Sequence, residues 1–180
     1  MIEVREKEAD LSSKKRSKLD KYLQKNPEPV VEGPGGAPFI TDHHHLARAA
    51  ADQRIETTYY KVDADYSSLD PDSFWAKMKE QHWVYLYDKN GEGPHDPADL
   101  PTSVEGLKDD PYRSLAGAVR RNGGFAKVST PFAEFKWADF FRSRIPIADI
   151  EGNFKNAVEN ASVMATTRGA CSLPGYEGAP

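Results

Sequence analysis

The chain alternates short apolar runs with charged stretches, and the spacing of the apolar positions divides it into two kinds of region. Ile2 and Val4 alternate with Glu3 and Arg5, which predicts a short edge strand over residues 1–8. From Asp10 to Lys25 the spacing of Leu11, Leu19, Tyr22 and Leu23 predicts a helix, ended by Asn26-Pro27. Pro29 to Glu32 reads as a strand, Gly33-Pro34-Gly35-Gly36 as a turn and Pro38 to Thr41 as the paired strand. A helix then begins within Thr41–His45, continues through Leu46-Ala-Arg-Ala-Ala-Ala and ends over 52–56; Thr41 or Asp42 is placed to cap it. Thr57 to Ala64 is β-branched and aromatic and reads as a further strand. Ser67 to Gln81 reads as a helix carrying Phe74, Trp75 and Met78 inward, with Asp70-Pro71 at its start. Trp83 to Tyr87 reads as another short strand before a loop to Thr102.

The second half is helical in pattern. Asp110-Pro111 caps a helix with Tyr112, Leu115, Ala116 and Val119 on its apolar face, closed by Gly123-Gly124. Thr130-Pro131 starts a second, in which Phe132, Phe135, Trp137, Phe140 and Phe141 cover most of the circumference and call for burial on nearly all sides. Ile147, Ile150, Phe154, Ala157, Val158, Ala161 and Ala165 form the stripe of one last helix, and Arg168 to Pro180 a Gly/Pro-rich tail pinned by Leu173 and Tyr176. The expected architecture is α+β: a small mixed sheet with helices in residues 1–100, then a helical part over 101–180 packed on it.

Composition sets bounds on partners. Hydrophobic residues make up 38% and charged residues 29% of 180, as in a globular protein with a real core. The formal net charge is −4, which weighs against broad nucleic-acid binding, although Lys14, Lys15, Arg16, Lys18, Lys21 and Lys25 form a local basic face. The single cysteine, Cys171, allows no internal disulfide and suits a reducing compartment. No apolar run approaches the roughly 20 residues of a membrane span, and the N-terminus has no apolar core of a signal peptide, so a cytoplasmic protein without membrane partners is expected. No Walker loop, GxGxxG or CxxC is present; the sequence does not fix the oligomeric state.

Candidate chemistry concentrates at Asp42-His43-His44-His45. A strand running directly into a helix leaves amide N–H groups pointing outward, and these favour an anion. On a helical wheel Leu46, Ala49 and Ala50 define the buried face and His43 falls beside it, so His43 is expected to be packed and hydrogen-bonded. His44 and His45 fall off that face and are the better functional candidates. Adjacent histidines diverge by about 100° on a helix and do not chelate one metal. A metal would need His82, His95 or Glu134 as well, and no metal ligand set is assigned. Glu134, beside Trp137 and Phe141, is expected either to be a surface or salt-bridged glutamate or to border an apolar face and serve as a general base with a raised pKa. Arg113, Arg121 and Lys127 are candidates to hold a phosphate or carboxylate.

The stretch Phe39-Ile-Thr-Asp42-His43-His44-His45-Leu46-Ala-Arg48-Ala-Ala resembles the core motif of the ParB/sulfiredoxin superfamily, whose members carry patterns such as Asp-Gly-His-His-Arg-Leu. More closely, the chain is similar to the group called putative ParB-like nuclease or ParB-like protein, in PVVEGPGG (29–36), ITDHHHLARA (40–49), DLPTSVEGLKDDPYRSLAGAVRRNGGFAK (99–127) and TPFAEFKWADFFR (130–142). The superfamily includes partition proteins that bind and hydrolyse CTP, sulfiredoxins that use ATP, and free serine kinases. The resemblance therefore implies a nucleotide, with magnesium, meeting this helix start, another divalent metal being the lesser alternative. Asp42 matches the motif Asp and His44 the motif His; His43 stands where the family has a flexible Gly, His45 where it has an Arg, and sulfiredoxin's Cys is absent. Glu3 lies at roughly the place of the serine kinases' catalytic Glu. The expected function is a hydrolase or phosphotransferase acting on a small anionic or phosphorylated ligand, with His44, His45 and Glu134 catalytic and Asp42, His43, Arg113 and Lys127 ligand-binding. The alternatives are a DNA-binding, partition-type or nuclease-like module, for which no helix-turn-helix is evident, and a His-based metal enzyme.

Overall fold

The structure, a computed structural model, describes residues 2–178. Among them are eight α-helices and one sheet of three strands, an α+β arrangement whose C-terminal part is entirely helical. The described residues divide into two compact units, one of residues 2–87 with 93–108, the other of residues 88–92 with 109–178.

The first unit opens with helix α1 (Ile2–Ser12), where alternation had suggested a strand. The alternating run is only four residues long. Val4 and Leu11, seven apart, fall on one helical face and are both buried, against Leu23, Leu46, Ala49 and Ala50. The helix expected over 10–25 is interrupted: Lys15 is extended, and α2 (Arg16–Lys25) begins after it. Strand β1 (Glu28–Gly33) pairs antiparallel with β2 (Ala37–Ile40), Val30 opposite Ile40, and parallel with β3 (Tyr60–Asp65), Val30 opposite Val62. Helix α3 (His44–Asp52) lies in the crossover between β2 and β3.

Alternation along β1 sorts its two faces. Val31 packs with Phe74 and Met78 of α4 (Pro71–Glu80), while Val30 and Glu28 share the other face. Gly33 is required at the strand end because a Cβ there would stand 2.5 Å from the Phe39 ring and 2.9 Å from that of Phe74. Trp83 to Tyr87 is not a strand: its aromatic residues pack instead of pairing, with Trp83 6.3 Å from Tyr66 and Tyr85 5.0 Å from Tyr87 between ring centroids.

In the second unit Asp110 caps α5 (Pro111–Arg121), accepting from the Tyr112 and Arg113 amides, and also accepts from Arg142 at 2.8 Å. Helix α6 (Ala133–Arg142) buries Trp137, Phe140 and Phe141, but Lys136 and Asp139 are exposed, so it is not enclosed on all sides. The last stripe is split into α7 (Ile147–Gly152) and α8 (Phe154–Ala165), because Asn153 leaves helical geometry to cap α8 through the Asn156 amide. The tail is held by backbone more than by side chains. The Pro174 carbonyl accepts from Trp137 Nε1 at 2.8 Å, and the Ala126 amide donates to Gly175, where φ is +76° and a Cβ would meet the Ala126 oxygen at 2.3 Å. Tyr176 adds its hydroxyl to the Thr166 carbonyl.

Candidate functional site

The turn from β2 into α3 is built from backbone and imidazole together. Thr41 ends the strand by donating its amide (3.0 Å) and hydroxyl (3.3 Å) to the Pro29 carbonyl. Asp42 is exposed and accepts from the His43 amide at 2.7 Å. His43 is then the N-cap residue, with a left-handed backbone at φ 60, ψ 19, and no side chain caps the helix. Neither Thr41 nor Asp42 therefore plays the capping role expected of it. The family resemblance places a Gly at position 43, and the left-handed backbone there gives that a physical reason.

The three imidazoles are used differently. His43 is hydrogen-bonded, Nδ1 lying 3.0 Å from the Pro27 carbonyl oxygen, but it is exposed and not packed as the wheel had placed it. The wheel fails because residue 43 is not yet helical. His44 is half-buried: burial pushes its pKa below the ordinary 6.5, and Asp42 opposes that shift. His45 pairs with Glu3 of α1, Nδ1 to Oε2 3.2 Å, with the Glu3 side chain only 12% exposed. The turn thus carries a neutral imidazole, an acceptor carboxylate and a helix start whose amides and macrodipole suit an anion. Behind it, Arg48 ties α3 to residues 104–106, donating to the Glu105 carbonyl at 2.9 Å and to Asp52 at 2.8 Å.

One residue in the strand beside this turn gave no signal in the sequence. Glu28, first in β1, is only 3% exposed, and neither carboxylate oxygen has a hydrogen-bond partner among the described residues. It lies between Pro27, which accepts from His43, and Pro29, which accepts from Thr41. A lone Glu at a strand end reads as solvent-facing, so only the fold reveals it.

The other candidates belong to the second unit. Glu134 does not border a bare apolar face; its carboxylate lies between the guanidinium groups of Arg113 and Arg120, the latter at 2.5 Å. Arg113 is thereby engaged with Glu134, and its guanidinium stands 5.5 Å over the Phe135 ring. Lys127 is exposed in the connection between α5 and α6. Among the described residues no three His, Cys, Asp or Glu side chains are grouped to hold a metal ion. No helix there is long and apolar enough to cross a membrane.

A small mixed sheet that feeds an Asp-His turn into a short alanine-rich helix is the arrangement that the resemblance to the ParB-like superfamily implies. The chain belongs to the family described as putative ParB-like nuclease, whose model matches residues 1–143. It is similar over nearly its whole length to a solved structure, protein Atu1540 from Agrobacterium tumefaciens, with a TM-score of 0.90 and 36% identity, covering 99% of this chain and 88% of that one. No curated protein matches it.

Proposed function

We propose that this chain binds a small phosphate-bearing ligand, a nucleotide being the first choice, at Asp42–His45, and acts on it as a hydrolase or phosphotransferase. The observation that carries this reading is the uncapped start of α3, entered through a left-handed His43 and flanked by His44. An anion there gains hydrogen bonds from backbone amides and the favourable end of the helix dipole. His44, whose burial favours the neutral imidazole, has a ring nitrogen to accept or relay a proton. His45, in the place the superfamily gives to Arg, is backed by Glu3 and supplies a second donor to the anion. A thermal-shift panel of inorganic phosphate, nucleoside mono- and triphosphates and magnesium tests it. The reading expects a rise in melting temperature with phosphate compounds that is lost in His44→Ala; no rise with any of them contradicts it.

A second reading, nucleic-acid binding, is favoured by one feature outside this turn. Lys14, Lys18, Lys21 and Lys25 line an open groove of about 330 Å³ together with Tyr22. Residues 14–25 carry six cations and one acid on a chain whose net charge is −4. Lys14 is paired with Asp10 and stands 4.6 Å over the Tyr22 ring, leaving the stripe of Lys18, Lys21 and Lys25 as the phosphate contacts. Gel-shift binding that weakens steeply with salt supports this reading, and no binding at low salt ends it.

A further inference from the structure

Glu28 presents a problem that packing does not solve. A carboxylate removed from water without hydrogen bonds destabilises the fold, and an apolar side chain of the same size would serve a core position better. Yet Glu28 is 3% exposed and both its oxygens are unpartnered among the described residues. The chain around it is fixed on both sides. Its own amide donates to Tyr59 at 2.9 Å, the Pro27 carbonyl accepts from His43 at 3.0 Å, and the Pro29 carbonyl accepts from the Thr41 amide at 3.0 Å. The β1–β2 register, Val30 opposite Ile40, continued by two residues sets Glu28 across from Asp42. Strand alternation turns it to the face of Val30 and away from Val31, which packs on Phe74. The backbone of Glu28 is therefore set beside the turn that starts α3, bracketed by the hydrogen bonds of His43 to Pro27 and of Thr41 to Pro29.

We propose that Glu28 is a second contact point of the α3 site, and that the ligand is a phosphate ester carrying hydroxyl or amino groups, not a bare phosphate. This rests on the reading of the α3 start as the anion site. The two carboxylate oxygens of Glu28 lack hydrogen-bond partners, and groups that donate satisfy them. An anion alone at the amides of α3 would leave Glu28 as it is and add a like charge nearby. A ligand with its phosphate on the helix start and its hydroxyl or amino donors on Glu28 satisfies both ends at once. Glu28 also sets specificity, since a buried acceptor rejects a ligand that lacks the matching donor.

The test uses the full chain with Glu28→Gln and Glu28→Met, inorganic phosphate and adenosine 5′-monophosphate as probes, and calorimetry with thermal melts. The expected result is that the wild type binds the nucleotide at least tenfold more tightly than phosphate. Both variants lose that preference, keep phosphate affinity within about twofold of wild type, and melt at the wild-type temperature or above it, as removal of an unsatisfied buried carboxylate predicts. Variants that bind the nucleotide as the wild type does overturn the proposal. So do variants that both melt several degrees lower, because Glu28 would then have a structural partner. A wild type that binds phosphate but not the nucleotide more tightly overturns it while sparing the anion site; a wild type that binds neither overturns both.

Discussion

His43 Nδ1 lies 3.0 Å from the Pro27 carbonyl oxygen, so the residue that opens α3 in a left-handed conformation also closes the turn onto the start of β1. Two opposing contributions meet at this residue. The left-handed backbone costs a non-Gly residue about 1 kcal/mol, and the hydrogen bond returns about 0.5–1.5 kcal/mol. His43→Gly removes both and is expected to stay within about 1 kcal/mol of wild type. His43→Ala keeps the strain and loses the bond, and is expected to be less stable by about 1–2 kcal/mol. Denaturant midpoints of the two variants check the order; an alanine variant as stable as the glycine one contradicts it.

His44 gives the turn a pH dependence of definite sign. Burial holds its folded-state pKa below the ordinary 6.5, so the unfolded chain binds the proton more readily. Its contribution to stability is complete above that value, falls as the pH is lowered through it, and levels off below the folded-state pKa. The expected observation is a fall in melting temperature on acidification below about pH 6.5 that is smaller in His44→Asn than in wild type. Identical pH profiles for the two proteins would place the titration elsewhere.

Glu3 and His45 join α1 to the first turn of α3 across 3.2 Å. A double-mutant cycle with Glu3→Gln and His45→Ala is expected to give a coupling of about 0.5–1 kcal/mol at low salt, decreasing as salt is added. A coupling of zero at low salt would show that α1 meets this turn only through Val4 and its apolar neighbours.

Glu134 is expected to matter for stability. Between Arg113 and Arg120 and 12% exposed, its carboxylate bridges two guanidinium groups, which its removal leaves without that partner. Glu134→Gln should cost about 1–3 kcal/mol, and less when Arg120→Gln is already present, because one unpaired cation is then gone. Equal costs in both backgrounds would show that the three residues do not act as a unit.

Much of the fold was legible because it rests on periodicity. The helices at Pro71 and Pro111 announced themselves through Asp-Pro starts and a clean apolar face, and the hairpin through Gly33-Pro34-Gly35-Gly36. Errors fell where a local pattern competed with a tertiary one. Ile2 and Val4 alternate like a strand, but Val4 and Leu11 have a helical surface to cover; Trp83 to Tyr87 is strand-like in composition but has no strand beside it to pair with. The candidate site was legible as a motif and not as a geometry. The Asp-His-His-His turn was visible at once, yet a helical wheel assumes helical dihedrals, and His43 has φ 60. Glu28 was invisible because burial of a lone carboxylate depends on the tertiary fold, and the residues that fix the chain on either side of it, His43 and Thr41, are fifteen and thirteen positions away.

The most direct test of the central claim, an anion site at the start of α3, is a titration of the isotope-labelled chain with inorganic phosphate, followed residue by residue through its amide resonances. The account predicts saturable shifts centred on the amides of His44 and His45, in the first turn of α3, reduced in His44→Ala. Shifts confined to Lys14–Lys25, with His44 and His45 unmoved, would contradict it and move the anion site to the basic face of α2.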